Sequence, residues 1–244
     1  MVVLATKCYV EGDARQRALK SLGSLLDNTI GDLHVESEIG VRSDQFVTVT
    51  ITGDDATAAR NALRAEWGEI TDHFETGETY TGTLESWDDD GITLDAGEEI
   101  RIPAGELGLG QGTPTQIRER FGLVQHLPMQ FVYGDPSRLA DDERDRLYEW
   151  PRGPGRVNVN SATRGEVRAT VNRAGHAQDI VTVERLGLLE QSIICGEGTD
   201  PPVPSRCRPA LSWRPPRRRP SGPPRAWPRN TGWRRSRTPR ERRR

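Results

Sequence analysis

The residues that most often perform chemistry are sparse in this 244-residue chain. Its four histidines, His34, His73, His126 and His176, and its three cysteines, Cys8, Cys195 and Cys207, show no HxxxH, HExxH or CxxC spacing. A metal site read from sequence needs such spacings to bring two ligands onto one helical face or knuckle. No metal is therefore expected, and with no Walker loop and no GxGxxG, no cofactor either. Gly108, Gly110 and Gly112 are spaced like a phosphate cradle, but they lie between Pro103 and Pro114 without the strand-to-helix context such loops require, so a flexible surface loop is expected. Cys195 with His176 and Asp179 could make a thiol site, since a thiolate needs a base and an orienter. Cys195 sits in the apolar run SIIC, where an inert buried thiol is the default, so no catalytic residue is assigned.

The cations are more informative. Between residues 152 and 173 stand Arg152, Arg156, Arg164, Arg168 and Arg173 against one acid, Glu166. Arg164, Arg168 and Asn172 recur at spacing four, which predicts one exposed stripe on the helix face opposite Val167 and Val171. Arginine suits bidentate phosphate contacts, so the stripe is a candidate nucleic-acid surface; its plain alternative is a solvated face paired with carboxylates. Tyr80 and Trp87 are candidate base-stacking residues if their strand belongs to an S1-like barrel, and core or rim aromatics otherwise. Arg118 and Arg120, on a short helix after the glycine loop, either point at a ligand or are solvated.

These readings rank an RNA-binding or nucleic-acid-associated protein first, with RNA as the partner. A protein–protein adaptor working through the acidic N-terminal units comes second. An enzyme with a dispersed site around His126, His176 and Cys195 comes third.

Charge divides the chain into segments. Lys plus Arg against Asp plus Glu is 13 to 29 in residues 1–150, 6 to 6 in 151–200 and 15 to 1 in 201–244. The first 200 residues carry only two lysines, Lys7 and Lys20, beside 17 arginines and 35 acids. Dense surface carboxylates oppose association, which suits a salt-adapted cytosol where a Debye length near 3 Å at molar salt screens the self-repulsion. The cysteines form no even framework, and residues 2–10 are too short for a membrane span and lack a signal-peptide pattern. A cytoplasmic protein with no membrane association is expected.

Periodicity supplies the elements that must position these residues. In residues 1–72, an apolar strand at 2–10, a helical stripe of Ala14, Ala18, Leu22 and Leu25, and alternating strands at 34–41 and 45–52 precede a helix carrying Ala59, Leu63 and Trp67, with Asp54 as its N-cap. That order predicts a ferredoxin-like α/β sandwich. Residues 73–134 read as a small S1/OB-like or SH3-like β-barrel with a helical insert: strands at 79–87, 92–95, 99–103 and 127–132, a turn at 88–91 and a helix at 114–120. Residues 135–200 read as a second α+β domain: an acidic helix at 141–150, a strand at 157–159, a helix opened by the capping box Thr163/Glu166 with Val167, Thr170, Val171 and Ala174 on its buried stripe, and strands at 180–183 and 192–195. The fold class is α+β.

Residues 201–244 hold 11 of the 17 prolines, 15 arginines and three tryptophans, without Lys, Asp, Ile or Phe. Reading a GC-rich gene out of frame yields this composition, so the segment is expected to be a disordered frameshift product starting near Val203 that replaces the end of the third domain.

The segments GTPTQIRERFGLVQHLPMQFV, DDERDRLYEWPR, RVNVNSATRGEVRATVNRAGHAQDIV and VERLGLLEQSIICGEGTDPP resemble the archaeal family known as domain of unknown function 2110, especially its haloarchaeal members. The likeness runs over about residues 1–202. It implies an archaeal cytoplasmic protein and supplies no catalytic or ligand residues.

Overall fold

The computed structural model describes residues 1–152, 155–175 and 180–195. The expected disorder of 201–244 lies outside them. Five α-helices and three antiparallel sheets make up the described fold, in three units along the chain.

The first unit runs β1 (Val2–Lys7), α1 (Gly12–Ile30), β2 (Val35–Val41), β3 (Phe46–Gly53) and α2 (Ala56–Trp67). Its sheet order β1-β3-β2 is that of a ferredoxin-like sandwich whose fourth strand is reduced to one bridge, Leu4 to Glu69, on the outer edge of β1. Ala18, Leu22, Leu26 and Ile30 of α1 and Ala59, Leu63 and Trp67 of α2 lie over Leu4, Val47 and Val49. Asp54 does not cap α2. Asp55 holds the N-cap position, and its carboxylate instead accepts from His34 N at 2.9 Å, tying the helix start to β2.

The central unit is one five-stranded sheet, ordered β6-β5-β4-β7-β8 and curled into a half-barrel. Its strands are β4 (Thr79–Trp87), β5 (Gly91–Asp95), β6 (Glu99–Pro103), β7 (Pro128–Val132) and the two-residue β8 (Arg138–Leu139). The turn into β5 closes on the Asp88 carboxylate, which accepts from Asp90 N and Gly91 N. Between β6 and β7, α3 (Pro114–Phe121) opens with a capping box, Thr113 and Gln116, and buries Ile117 and Phe121. The glycine loop before it is held in place: Arg120 donates to Leu109 O and Gln111 O, Leu109 is buried, and Tyr148 donates to Gly108 O. Helix α4 (Asp141–Glu149) packs on β7, and Leu147 and Trp150 join the central core.

The third unit consists of β9 (Arg156–Val159), α5 (Arg164–Arg173), β10 (Ile180–Arg185) and β11 (Gln191–Cys195), with sheet order β10-β11-β9. Thr163 and Glu166 form the capping box of α5. Val167 is its buried anchor, Thr170 and Val171 are half-buried, and Ala174, expected inside, is exposed because the helix has ended.

The β10–β11 turn joins the units. Leu188 and Leu189 lie in the core of the first unit, Leu186 packs on the core of the central one, and Leu188 N donates to the buried Thr6 Oγ1 at 3.0 Å. At the same junction Gly68 adopts φ 72°, and a Cβ there would meet the Thr81 side chain at 2.8 Å, so glycine lets α2 end against β4.

Candidate functional site

Two constellations stand out, one exposed and one buried. On α5, Arg164, Arg168, Asn172 and Arg173 are all exposed, as is Arg152 ahead of β9. Arg173 donates to Thr170 Oγ1, and among the described residues neither Arg164 nor Arg168 meets a carboxylate. The described acids of this unit are engaged elsewhere. Glu166 accepts from Thr163 and pairs with Arg17 of α1 at 3.2 Å, whereas Glu184 pairs with Arg156 at 3.5 Å. Arg156 also lies over the Trp150 ring, so of the five arginines it is the one drawn into the fold.

The remaining sequence candidates are engaged within the central unit. Tyr80 packs edge-on against Phe74, and its hydroxyl accepts from Glu75 N at 2.8 Å. The Arg118 guanidinium covers the Trp87 ring at 4.5 Å, so each occupies the other's recognition face. Arg120 is consumed by the loop carbonyls of Leu109 and Gln111. Cys195 is buried at the end of β11, away from the Gln191 end that meets the junction, and His176 and Asp179 lie outside the described residues. Among the described residues no group of three or more His, Cys, Asp or Glu side chains could hold a metal ion. None of the described helices is long and apolar enough to cross a membrane.

The buried constellation was not anticipated. Lys7 at the end of β1 is 6 % exposed and donates to Asp95 at 2.6 Å and Glu85 at 2.8 Å. Burial opposes its charge, but the hydrogen bonds to Asp95 and Glu85 outweigh that and hold the ammonium above its ordinary range. Burial likewise opposes ionisation of Glu85, yet hydrogen bonds from His126 and Lys7 bring its carboxyl down to about 2. An ionised carboxylate only accepts, so His126 Nδ1, 3.2 Å away, carries the proton. The His126 ring lies against that of Tyr9 with centroids 4.1 Å apart.

Tyr9 connects this group to the third unit. Its hydroxyl donates to Glu190 Oε1 at 2.7 Å and accepts from Ser161 N at 2.7 Å. Glu190 is fully buried, its Oε2 has no hydrogen-bond partner among the described residues, and desolvation pushes its carboxyl up to about 8. Among the described residues three non-glycine positions adopt positive φ, and two of them, His126 (68°) and Ser161 (62°), contact Tyr9. Side chains in this backbone region are strained and gather where surrounding structure imposes them. The sequence held a faint signal for this site: Lys7 and Glu190 each interrupt an apolar run, where an ionisable residue needs a partner.

A cleft of about 400 Å³ also opens where the units meet, with Arg64, Arg146 and Arg185 among its lining. Each is tied to a carboxylate at 2.5 Å, Arg64 to Glu69, Arg146 to Glu143 and Arg185 to Glu66, so these cations close the junction. Arg185 also stacks 3.5 Å over Trp67.

No curated protein matches the chain. Three family models do, and between them they account for the described fold: the DUF2110 N-terminal domain over residues 1–73, the DUF2110 central domain over 74–151 and the DUF2110 C-terminal domain over 154–203. The chain belongs to the DUF2110 family, whose function is uncharacterised.

Proposed function

We propose that the chain is a nucleic-acid-associated protein that grips the RNA phosphate backbone through the exposed face of α5. The observation that carries this reading is the pair Arg164 and Arg168, exposed and without a carboxylate partner among the described residues, whose other arginines are mostly tied to acids. Arg173 and Arg152 extend the charge, and Asn172 adds an exposed amide that can donate or accept. Two guanidinium groups one helical turn apart suit phosphate oxygens, which they contact in paired hydrogen bonds.

Phosphate contacts position a strand without reading its bases, so little sequence preference is expected. Tyr80 and Trp87 already have partners, and base stacking on them would require Glu75 or Arg118 to let go. The test is binding of a labelled single-stranded RNA to the parent chain and to the Arg164→Glu, Arg168→Glu double variant, with a thermal melt as control. Weaker binding across unrelated sequences with an unchanged melt is expected, because exposed substitutions usually alter stability by no more than about 0.5 kcal/mol. No affinity in the parent at low salt would overturn the reading and leave the adaptor role, through the acidic first and central units, in first place.

A further inference from the structure

The lead-in to α5 is held by a chain of contacts that ends on a buried carboxyl. Ser161, in the left-handed region, donates its N–H to Tyr9 Oη, Ala162 N donates to Leu189 O, and the next residue, Thr163, is the N-cap. Tyr9 Oη donates in turn to Glu190, which closes the β10–β11 turn by accepting from Leu186 N and Gly187 N through its backbone carbonyl. Two units therefore meet at Glu190: its carboxyl holds Tyr9, just after β1, and through it Ser161 ahead of α5, while its backbone carbonyl closes the turn that carries the leucine wedge.

We propose that Glu190 is a proton-controlled latch, its neutral carboxyl keeping the third unit seated on β1 and its ionised form loosening the turn and the lead-in to α5. The neutral carboxyl fits a site that is fully buried, where Tyr9 is the one side chain that donates to Oε1 and Oε2 has no hydrogen-bond partner among the described residues. An ionised one would leave a bare charge in the junction, and opening to water relieves that.

The groups facing Glu190 sharpen the response. Tyr9, two residues beyond β1, is raised well above its ordinary range, chiefly by burial, and stays protonated; Cys8 beside it is raised by burial and stays a thiol. Glu85 on β4, ionised and paired with Lys7 and His126, adds repulsion against a second negative charge. Lys7 is held between Glu85 and Asp95, so its charge is spent on those two carboxylates. His126 packs on Tyr9 and pairs with Glu85, so His126→Gln takes the imidazole out of the junction and leaves Glu190 as the group under test. Glu190 holds more protons folded than unfolded between 4.5 and about 8, so its stabilisation is lost as pH rises through that span. The consequence for RNA rests on the reading above; the latch itself does not.

The test is peptide-resolved hydrogen exchange on the full chain from pH 7 to 9, corrected for the intrinsic pH dependence of exchange, in the parent and in Glu190→Gln, His126→Gln and Tyr9→Phe. In the parent and in His126→Gln, protection of residues 156–163 and 186–195 should fall roughly tenfold while α1 is unchanged, whereas Glu190→Gln should stay flat. Tyr9→Phe removes the hydroxyl that links the carboxyl to Ser161 and leaves Glu190 itself in place, so it should expose 156–163 already at pH 7, and it serves if the glutamine variant does not fold. Protection independent of pH in the parent, an equal loss in Glu190→Gln, or full protection of 156–163 in Tyr9→Phe would each overturn the latch. RNA affinity followed over the same range should decline in the parent alone of the parent and Glu190→Gln pair. Absence of RNA affinity at every pH counts against the proposed function, while the exchange data decide the latch separately.

Discussion

Glu85 and Glu190 start from the same ordinary value of 4.5, and their surroundings push one to about 2 and the other to about 8. The difference is the supply of donors. Glu85 receives Lys7, His126 and the Thr83 hydroxyl, whereas at Glu190 the Tyr9 hydroxyl and the backbone N–H groups of Glu190 and Leu189 do not offset burial. Their pH effects therefore have opposite sign. The contribution of Glu85 is present above 4.5 and is lost as pH falls through about 2, where protonation breaks its bonds to Lys7 and His126. Its side chain is 26 % exposed, so solvent screening reduces the stake to about 2 kcal/mol. Urea unfolding between pH 5 and 2 should show the parent losing stability more steeply than Glu85→Gln. Parallel slopes would mean that the pairing carries no net free energy. Lys7 joins the first unit to the central one through these same bonds, which makes a single side chain of β1 a tie between two cores.

At the level of elements, what was legible in the sequence was local. The α5 capping box needs only Thr163 and Glu166 three residues apart, and the strands of the central unit announce themselves by alternation closed on Asp and Gly. The two-residue β8 is too short to carry a pattern, and the packing of α4 on β7 depends on partners that periodicity does not name. The junction was invisible for a further reason: Lys7 meets Asp95 across 88 positions and Tyr9 meets Glu190 across 181, so no window of sequence contains either pair. The exposed arginine stripe was readable because four-residue spacing survives into the structure, but the engagement of Tyr80 by Glu75 and of Trp87 by Arg118 was not. Two substitutions test how the third unit is built. Thr163→Ala removes the cap and should cost about 1 kcal/mol in a thermal melt. Gly187→Ala places a methyl 2.1 Å from Glu190 Oε2 and 3.2 Å from Pro128 Cδ, and because that carboxyl is fully buried it has little room to move. Overpacking of this kind should cost about 1–3 kcal/mol. A Gly187→Ala chain as stable as the parent would show that the turn is looser than its contacts imply.

For the whole molecule, the consequence of the junction is that the third unit does not fold against itself alone. Among the described residues its own core holds four buried side chains, Val159, Ala162, Val167 and Val183, while its Leu188 and Leu189 complete the core of the first unit. Leu188→Ala should therefore destabilise the chain by about 2–5 kcal/mol in a urea melt, as expected for a buried leucine, although the residue lies in a turn. A cost under about 1 kcal/mol would mean that the units are joined by polar contacts alone. This coupling seats a helix with unpaired arginines beside an acidic first unit, with Arg17 of α1 already reaching Glu166. Local charge of this kind, in a chain whose first 150 residues carry 29 acids against 13 bases, favours short phosphate contacts over diffuse attraction. The measurement that reaches the central claim most directly is a salt titration of single-stranded RNA binding by the parent and by the Arg164→Glu, Arg168→Glu variant. Each lost phosphate contact removes about 0.7 from the slope of log affinity against log salt, so the variant should bind more weakly with a slope flatter by about 1.4. Equal affinity with an unchanged slope, or a parent that binds no RNA at low salt, would contradict the account.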